Sequence, residues 1–369
     1  MQYMRSICQS LSHGSSKRSP VRLLAGVSTL VILLAACAGN GTEPAGTAED
    51  TTEVEDPTEA TEASEEDEAA TGDTASDDFP TSRINYVIPF GPGGASDFTA
   101  RVQQEALEAE FGQTVAVTYQ EGASGGMAWS QLKNMPNDGH TFVGVNAPNI
   151  IVDPIARGDA GYTSDDFRIV TWFQYTPSML GVPADSPHET LDDLVAEMQE
   201  RPGAVNFAAG GDWSQHRVAH LIFQEELDVE GVYVPHDGGG QAAATVLGGH
   251  TEAGWFTGPD IVDMLDDIRI LAVAADEPMA ITPDAPTFLE LGHDIVMGAY
   301  RGVAVPHDTP EERVQRIADV FERVNQDPDI VEQMEASGFD LVFIGADEAD
   351  AFVDELADHY IPLVERSLE

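Results

Sequence analysis

From residue 83 onward, short apolar runs alternate along the chain with stretches whose apolar positions recur at helical spacing. Residues 84–90 (INYVIPF) read as a strand, and residues 96–112 (SDFTARVQQEALEAEFG) as a helix closing on Gly112. Residues 115–119 (VAVTY) form a second strand, 127–135 (MAWSQLKNM) a helix and 141–146 (TFVGVN) a third strand. The centre repeats the pattern: helix 191–200, strand 204–209, helix 216–227, strand 231–236, helix 241–249, then strands 251–256 and 268–275. A strand at 301–306 and helices at 310–326 and 348–368 close the chain.

Strands alternating with amphipathic helices imply βαβ units, hence an α/β fold built on mainly parallel sheets flanked by helices. Such sheets bind ligands beyond the carboxyl ends of their strands. The length favours two domains. We expect one lobe at 83–185 completed by 298–369, with an inserted lobe at 186–297, so that two crossovers form a hinge.

Residues 1–37 read as an export signal. Arg5, Lys17, Arg18 and Arg22 give a positive start, and 23–36 (LLAGVSTLVILLAA) an apolar run shorter than the roughly 20 residues a spanning helix needs. The run ends in Leu34-Ala35-Ala36-Cys37, which resembles a bacterial lipobox, where the cysteine is lipidated and tethers the protein to a membrane. The other cysteine, Cys8, would leave with the signal, so no disulfide is expected. Residues 38–82 are rich in Thr, Ala, Glu and Asp, lack positive charge and read as a disordered, self-repelling tether.

The formal net charge is -48, from 65 acidic and 17 basic residues. Residues 83–369 alone carry 50 acidic and 13 basic residues, near -37. That argues against nucleic-acid binding, which needs a basic patch. Only Lys17 and Lys133 are lysines, and an acidic, lysine-poor surface suits a salt-tolerant organism, because salt screens self-repulsion.

Four glycine-rich segments fall at strand-to-helix junctions: PFGPGGASDFTAR from Pro89, YQEGASGGMAW from Tyr119, AAGGDWSQHRVAH from Ala208 and HDGGGQAAA from His236. In the first, Ser96 or Asp97 is placed to cap the following helix, whose N-terminus favours a negative charge. Convergent N–H groups from both lobes would close around an anion without any Arg or Lys.

These segments, with NDGHTF, VPHDGGGQAAATVLGGHTEAGWF and APTFLELG in the same order, resemble the substrate-binding receptors of the tripartite tricarboxylate transporter family, the Bug receptors. The resemblance spans residues 83–369. It implies a two-lobed periplasmic-binding-protein fold (a Venus flytrap), a small organic anion as ligand, and a membrane permease of one large and one small subunit as partner. It implies no cofactor. Carried over by motif, Phe90, Gly93, Gly94, Ala95, Ser96 and Asp97 would hold one carboxylate. Gly122, Ala123, Ser124, Gly125, Gly126 and Asn146 would line the same lobe. Gly211, Asp212, Trp213, Ser214, His216, Gly238, Gly239 and Gly240 would reach the ligand from the other lobe. The chain departs from the family at Tyr119, often Asn, and at His236-Asp237, often Tyr-Lys, which bears on ligand identity.

Other readings compete. Residues 122–126 match G-x-S-x-G, the elbow of an α/β-hydrolase, so an esterase using Ser124 is the alternative function. His216 and His220 have the spacing of a zinc pair, but Arg217 stands where a zincin has Glu. Trp172, Tyr175, Trp213, Trp255 and Phe256 could form an aromatic wall, with Trp213 and Trp255 as its members inside the motif loops. A stalked adhesion module would explain the tether but not the four loops.

Overall fold

The computed structural model describes residues 79–369. The expected signal and lipobox at 1–37 therefore lie outside the described residues, as does nearly all of the expected tether at 38–82. The last residues of that tether belong to the folded body. Phe79, the one aromatic residue of 38–82, sets its ring edge-on to His140 at 5.1 Å and lies 5.5 Å under the guanidinium of Arg313. A large ring gains too much from burial to stay in solvent.

The chain runs β1 (Ile84–Ile88), α1 (Ala95–Phe111), β2 (Val115–Tyr119), α2 (Gly126–Leu132), β3 (Thr141–Ala147), α3 (Asn149–Arg157) and β4 (Phe167–Pro177). Next come β5 (Met179–Pro183), α4 (Leu191–Glu200), β6 (Asn206–Gly210), α5 (Gln215–Leu227), β7 (Val232–His236), α6 (Gly239–Leu247), β8 (Ala253–Phe256), α7 (Gly258–Ile261) and β9 (Ile268–Val273). The chain returns through β10 (Gly298–Pro306) and ends with α8 (Glu311–Asn325), α9 (Pro328–Ala336), β11 (Asp340–Ile344) and α10 (Ala346–Leu368). One sheet has the order β11-β4-β10-β3-β1-β2, the other β7-β6-β8-β5-β9.

Local sequence explains the regular pieces. Helix α1 ends where Gly112 takes φ 66° and returns its N–H to the Glu108 carbonyl. Helix α8 turns Val314, Ile317, Val320, Phe321 and Val324 inward, each burial contributing roughly 1.5–3 kcal/mol. Phe321 stacks on Phe173 at 5.2 Å and meets Phe142 at 5.4 Å, joining that helix to β3 and β4.

The sheets are mixed, not mainly parallel. Strands β1, β2 and β3 are parallel, as are β6, β7 and β8, but β10 is antiparallel to both β3 and β4, and β5 to both β8 and β9. The reason lies in the hinge. The chain leaves the first sheet along β4 and returns along the neighbouring β10, and adjacent outgoing and incoming strands must run opposite ways. The outgoing crossover falls at Ser178, ahead of the expected lobe edge at 185, because β5 already pairs in the second sheet.

Candidate functional site

The loop from β1 to α1 is organised by Asp97. Its Oδ2 accepts the Gly93 N–H at 2.8 Å, and its Oδ1 accepts Tyr119 Oη at 2.7 Å and Arg101 Nε at 3.2 Å. Partial burial pushes this carboxyl upward, but the Gly93 N–H, Tyr119 and Arg101 together hold it below its ordinary range. Neither Ser96 nor Asp97 caps α1; Gly94 occupies the cap position with no side-chain bond. The Gly93 N–H is thus committed to the protein's own carboxylate. The N–H groups of Gly94, Ala95, Ser96 and Asp97 are those that no helical carbonyl reaches, since the first helical bond runs from Phe98 N–H to the Gly94 carbonyl. Tyr119 closes this network, accepting from Arg101 Nη2 at 2.6 Å while donating to Asp97.

The loop from β2 to α2 holds four successive residues at positive φ: Gly122 at 131°, Ala123 at 49°, Ser124 at 54° and Gly125 at 103°. Two of these are not glycine, a strain that concentrates at functional sites. Gly125 has no substitute here, since a Cβ would stand 2.5 Å from the Trp129 ring. Phe90 packs edge-on against the same Trp129 at 6.1 Å, beneath the loop. Gly126 begins α2 beside the buried Asp153.

In the second lobe the two remaining loops touch. A Cβ on Gly210 would stand 2.7 Å from the Gly239 nitrogen, and the Gly211 N–H donates to the His236 carbonyl at 2.7 Å. Tyr233 Oη donates to the Gly211 carbonyl, and Ser214 Oγ to that of Gly210, both at 2.7 Å. Ser214 also caps α5 by accepting the His216 N–H. Gly238 caps α6 with extended backbone, and Gly240 follows with open space beside it. The carboxylate of Asp260 fills the space against Gly239. Trp213 is covered by the Arg217 guanidinium at 5.2 Å.

The lobes meet at these loops. Ser124 Oγ lies 4.0 Å from where a Cβ of Gly211 would stand. Asp153 holds the Arg157 guanidinium above its ordinary range, and the charge of Asp212, from the other lobe, adds to the effect. At the base of the cleft, Asn146 near the carboxyl end of β3 pairs in register with Arg301 of β10, and both are buried. Burial pushes Arg301 down to about 10 against the pull of Asp260, and burial with the nearby Arg301 charge pushes His216 below its ordinary range, also against the pull of Asp260. Sequence reasoning passed over Arg301 and Asp260. The available signal was a single charge inside an otherwise apolar strand, GAYRGVAVP.

Several expected members lie elsewhere. Trp255, expected at the ligand, is fully buried in the core, stacked on Phe288 at 6.1 Å with its Nε1–H on His220 Nδ1. Its ring packs under α5, edge-on to Phe223 at 5.7 Å. His220 donates or accepts only within that core, so the i, i+4 pair with His216 holds no metal. Among the described residues no cluster of three or more His, Cys, Asp or Glu could hold one. Trp172 is likewise buried, with its Nε1–H on the Ala349 carbonyl. Ser124 has hydrolase-like strand–turn–helix surroundings, but no histidine is hydrogen-bonded to it among the described residues.

The family model for the tripartite tricarboxylate transporter family receptor matches residues 99–367. The chain belongs to that family. Its members are receptors, which removes the esterase reading of Ser124. Among curated relatives, this receptor is 29% identical over 280 residues to the UPF0065 protein in the tcbD-tcbE intergenic region of Pseudomonas sp. strain P51, covering 71% of this chain and 79% of that protein. It is 26% identical over 288 residues to protein BugT of Bordetella pertussis, covering 76% and 88%. Solved structures with the same fold include R. palustris Rpa4515 with adipate, at TM-score 0.73 and 22% identity over 78% of this chain and 97% of that one. Another is MatC from Rhodopseudomonas palustris with bound malate, at TM-score 0.70 and 22% identity over 78% and 100%.

Proposed function

We propose that this receptor captures a small carboxylate outside the cytoplasm and hands it to the permease subunits of a tripartite tricarboxylate-type transporter. The observation that carries the reading is the convergence of glycine-rich strand-end loops from both lobes at Ser124 and Gly211. The helix N-termini behind these loops present positive dipole ends to an anion. A ligand touching both lobes favours the closed arrangement by its differential affinity for it. The ligands named for the two Rhodopseudomonas relatives, adipate and malate, support a di- or tricarboxylate. The Leu34–Cys37 motif supports a lipid anchor at Cys37, with residues 38–78 as spacer; Cys37→Ser should move the protein from the membrane to the soluble fraction.

The test is a thermal-shift screen in high salt against organic acids, sugars, amino acids and esters. A ligand bound only by the native state raises the melting point by mass action. A carboxylate shift without turnover is the expected outcome; a shift only with uncharged solutes would sink the proposal.

A further inference from the structure

We infer that Arg301 is a ligand contact that selects for a carboxylate, supplied by the returning hinge strand and not by any glycine-rich loop. The inference rests on the carboxylate-receptor reading above and adds the charge that none of the four loops provides.

The position fits. Arg301 sits on β10 between β3 and β4, in register with Asn146 on one side and Gln174 on the other. Cross-strand partners share a face of the sheet. Asn146 lies near the carboxyl end of β3, which runs parallel to β1, so Arg301 stands at the sheet end from which the ligand loops emerge. His216 and Asp260 of the second lobe are close enough to act on it electrostatically.

The strand is also built for this side chain. The β4–β10 register slips between Arg301 and Gly302, and such bulges re-aim a side chain and recur beside binding sites. Gly302 permits the slip: a Cβ there would stand 2.1 Å from the Thr171 carbonyl oxygen.

The charge itself is left incomplete. Arg301 is only 6% exposed, yet its Nε has no hydrogen-bond partner, and Nη1 donates only to Thr176 Oγ1. Among the described residues no carboxylate lies within ion-pair distance of it. Asp260 acts from farther off, and its carboxylate is committed to the Thr257 N–H and hydroxyl. The Phe339 ring, 5.6 Å from Cζ, supports the guanidinium from one face. A buried, unpaired guanidinium is costly, and burying it in so acidic a protein without a carboxylate beside it makes sense if the ligand supplies one. Its planar fork suits bidentate contact with a carboxylate.

The experiment is isothermal titration of wild type and Arg301→Gln with malate, adipate and butyrate, each beside its amide. Wild type should bind at least one acid and prefer it to its amide. Arg301→Gln should lose about tenfold or more for that acid, change little for the amide, and melt no lower than wild type without ligand, since a buried charge has been removed. An Arg301→Gln protein that keeps both the affinity and the acid-over-amide preference overturns the inference while leaving the receptor reading intact. Wild type that binds none of the acids, and no carboxylate in the broader screen, overturns both. Should Arg301→Gln not fold, Arg301→Lys decides. It keeps the charge without the fork, so weaker binding with the acid preference retained is expected, and loss of that preference with unchanged affinity contradicts the role.

Discussion

Gly239 and Gly240 stand side by side at the start of α6, and the same one-methyl change should affect them differently. A Cβ on Gly239 would stand 2.0 Å from Cγ of Asp260, whereas nothing lies within 4 Å of the same position on Gly240. Neither residue has a positive φ, so alanine fits the backbone at both. In a helix that change is worth roughly 0.5–1 kcal/mol in alanine's favour, a gain common to the two variants. What differs is the fate of Asp260. Its carboxylate accepts the Thr257 N–H at 2.8 Å and the Thr257 hydroxyl at 2.7 Å, forming the capping box of α7. The new methyl at residue 239 must push that carboxylate out of the box, and losing such a cap costs about 0.5–2 kcal/mol. Gly240→Ala should therefore exceed Gly239→Ala in stability by about 0.5–2 kcal/mol. A domain of this class shifts about 2–4 °C per kcal/mol, so their melting points should separate by a few degrees. Scanning calorimetry of both variants in one buffer, without ligand, reads the difference directly. Equal melting points, or a higher one for Gly239→Ala, would refute the close seating of Asp260 on α6.

Two more outcomes follow from buried and surface charge. His220 is 1% exposed, and burial pushes it down to about 4 against the help of the Gly231 carbonyl. The unfolded imidazole titrates near 6.5, so the unfolded chain takes the proton first, and this residue's stabilisation is complete above 6.5 and drains as pH falls toward 4. Its full extent is about 3 kcal/mol. His220→Gln keeps an acceptor for Trp255 and should flatten the fall in melting point over that window; an unchanged slope would show that His220 is not neutral in the fold. Second, the charge near -37 on residues 83–369 should make the protein more stable in 1 M salt, where the screening length is about 3 Å, than at 0.1 M, where it is about 10 Å. Equal stability at the two salts would remove the case for halotolerance.

Much of the scaffold was legible because it is local. The strand 84–88, the helix ending on Gly112 and the amphipathic α8 follow from spacing, caps and one glycine. Strand β4 was not, since all but one of its residues from Phe167 to Pro177 are buried and it shows neither a period of two nor of 3.6. The four glycine-rich segments were legible as strand-to-helix loops, and the structure places them there. Which N–H groups stay open was not, because Asp97 reaches back to Gly93 only once Tyr119 and Arg101 are folded around it. Trp255 misled for the same reason. Its place inside a motif said nothing about which face of β8 it occupies.

The sequence by itself determined the alternation of strands and helices and the positions of the four loops, because periodicity and turn chemistry act over a few residues, while the receptor class rested on the resemblance of its motifs. Tertiary structure decided the rest. Neighbouring outgoing and returning strands made the sheets mixed, the β4–β10 register slips between Arg301 and Gly302, and Arg301 is buried. Pairing register and burial depend on residues far apart in the chain, so no local pattern records them.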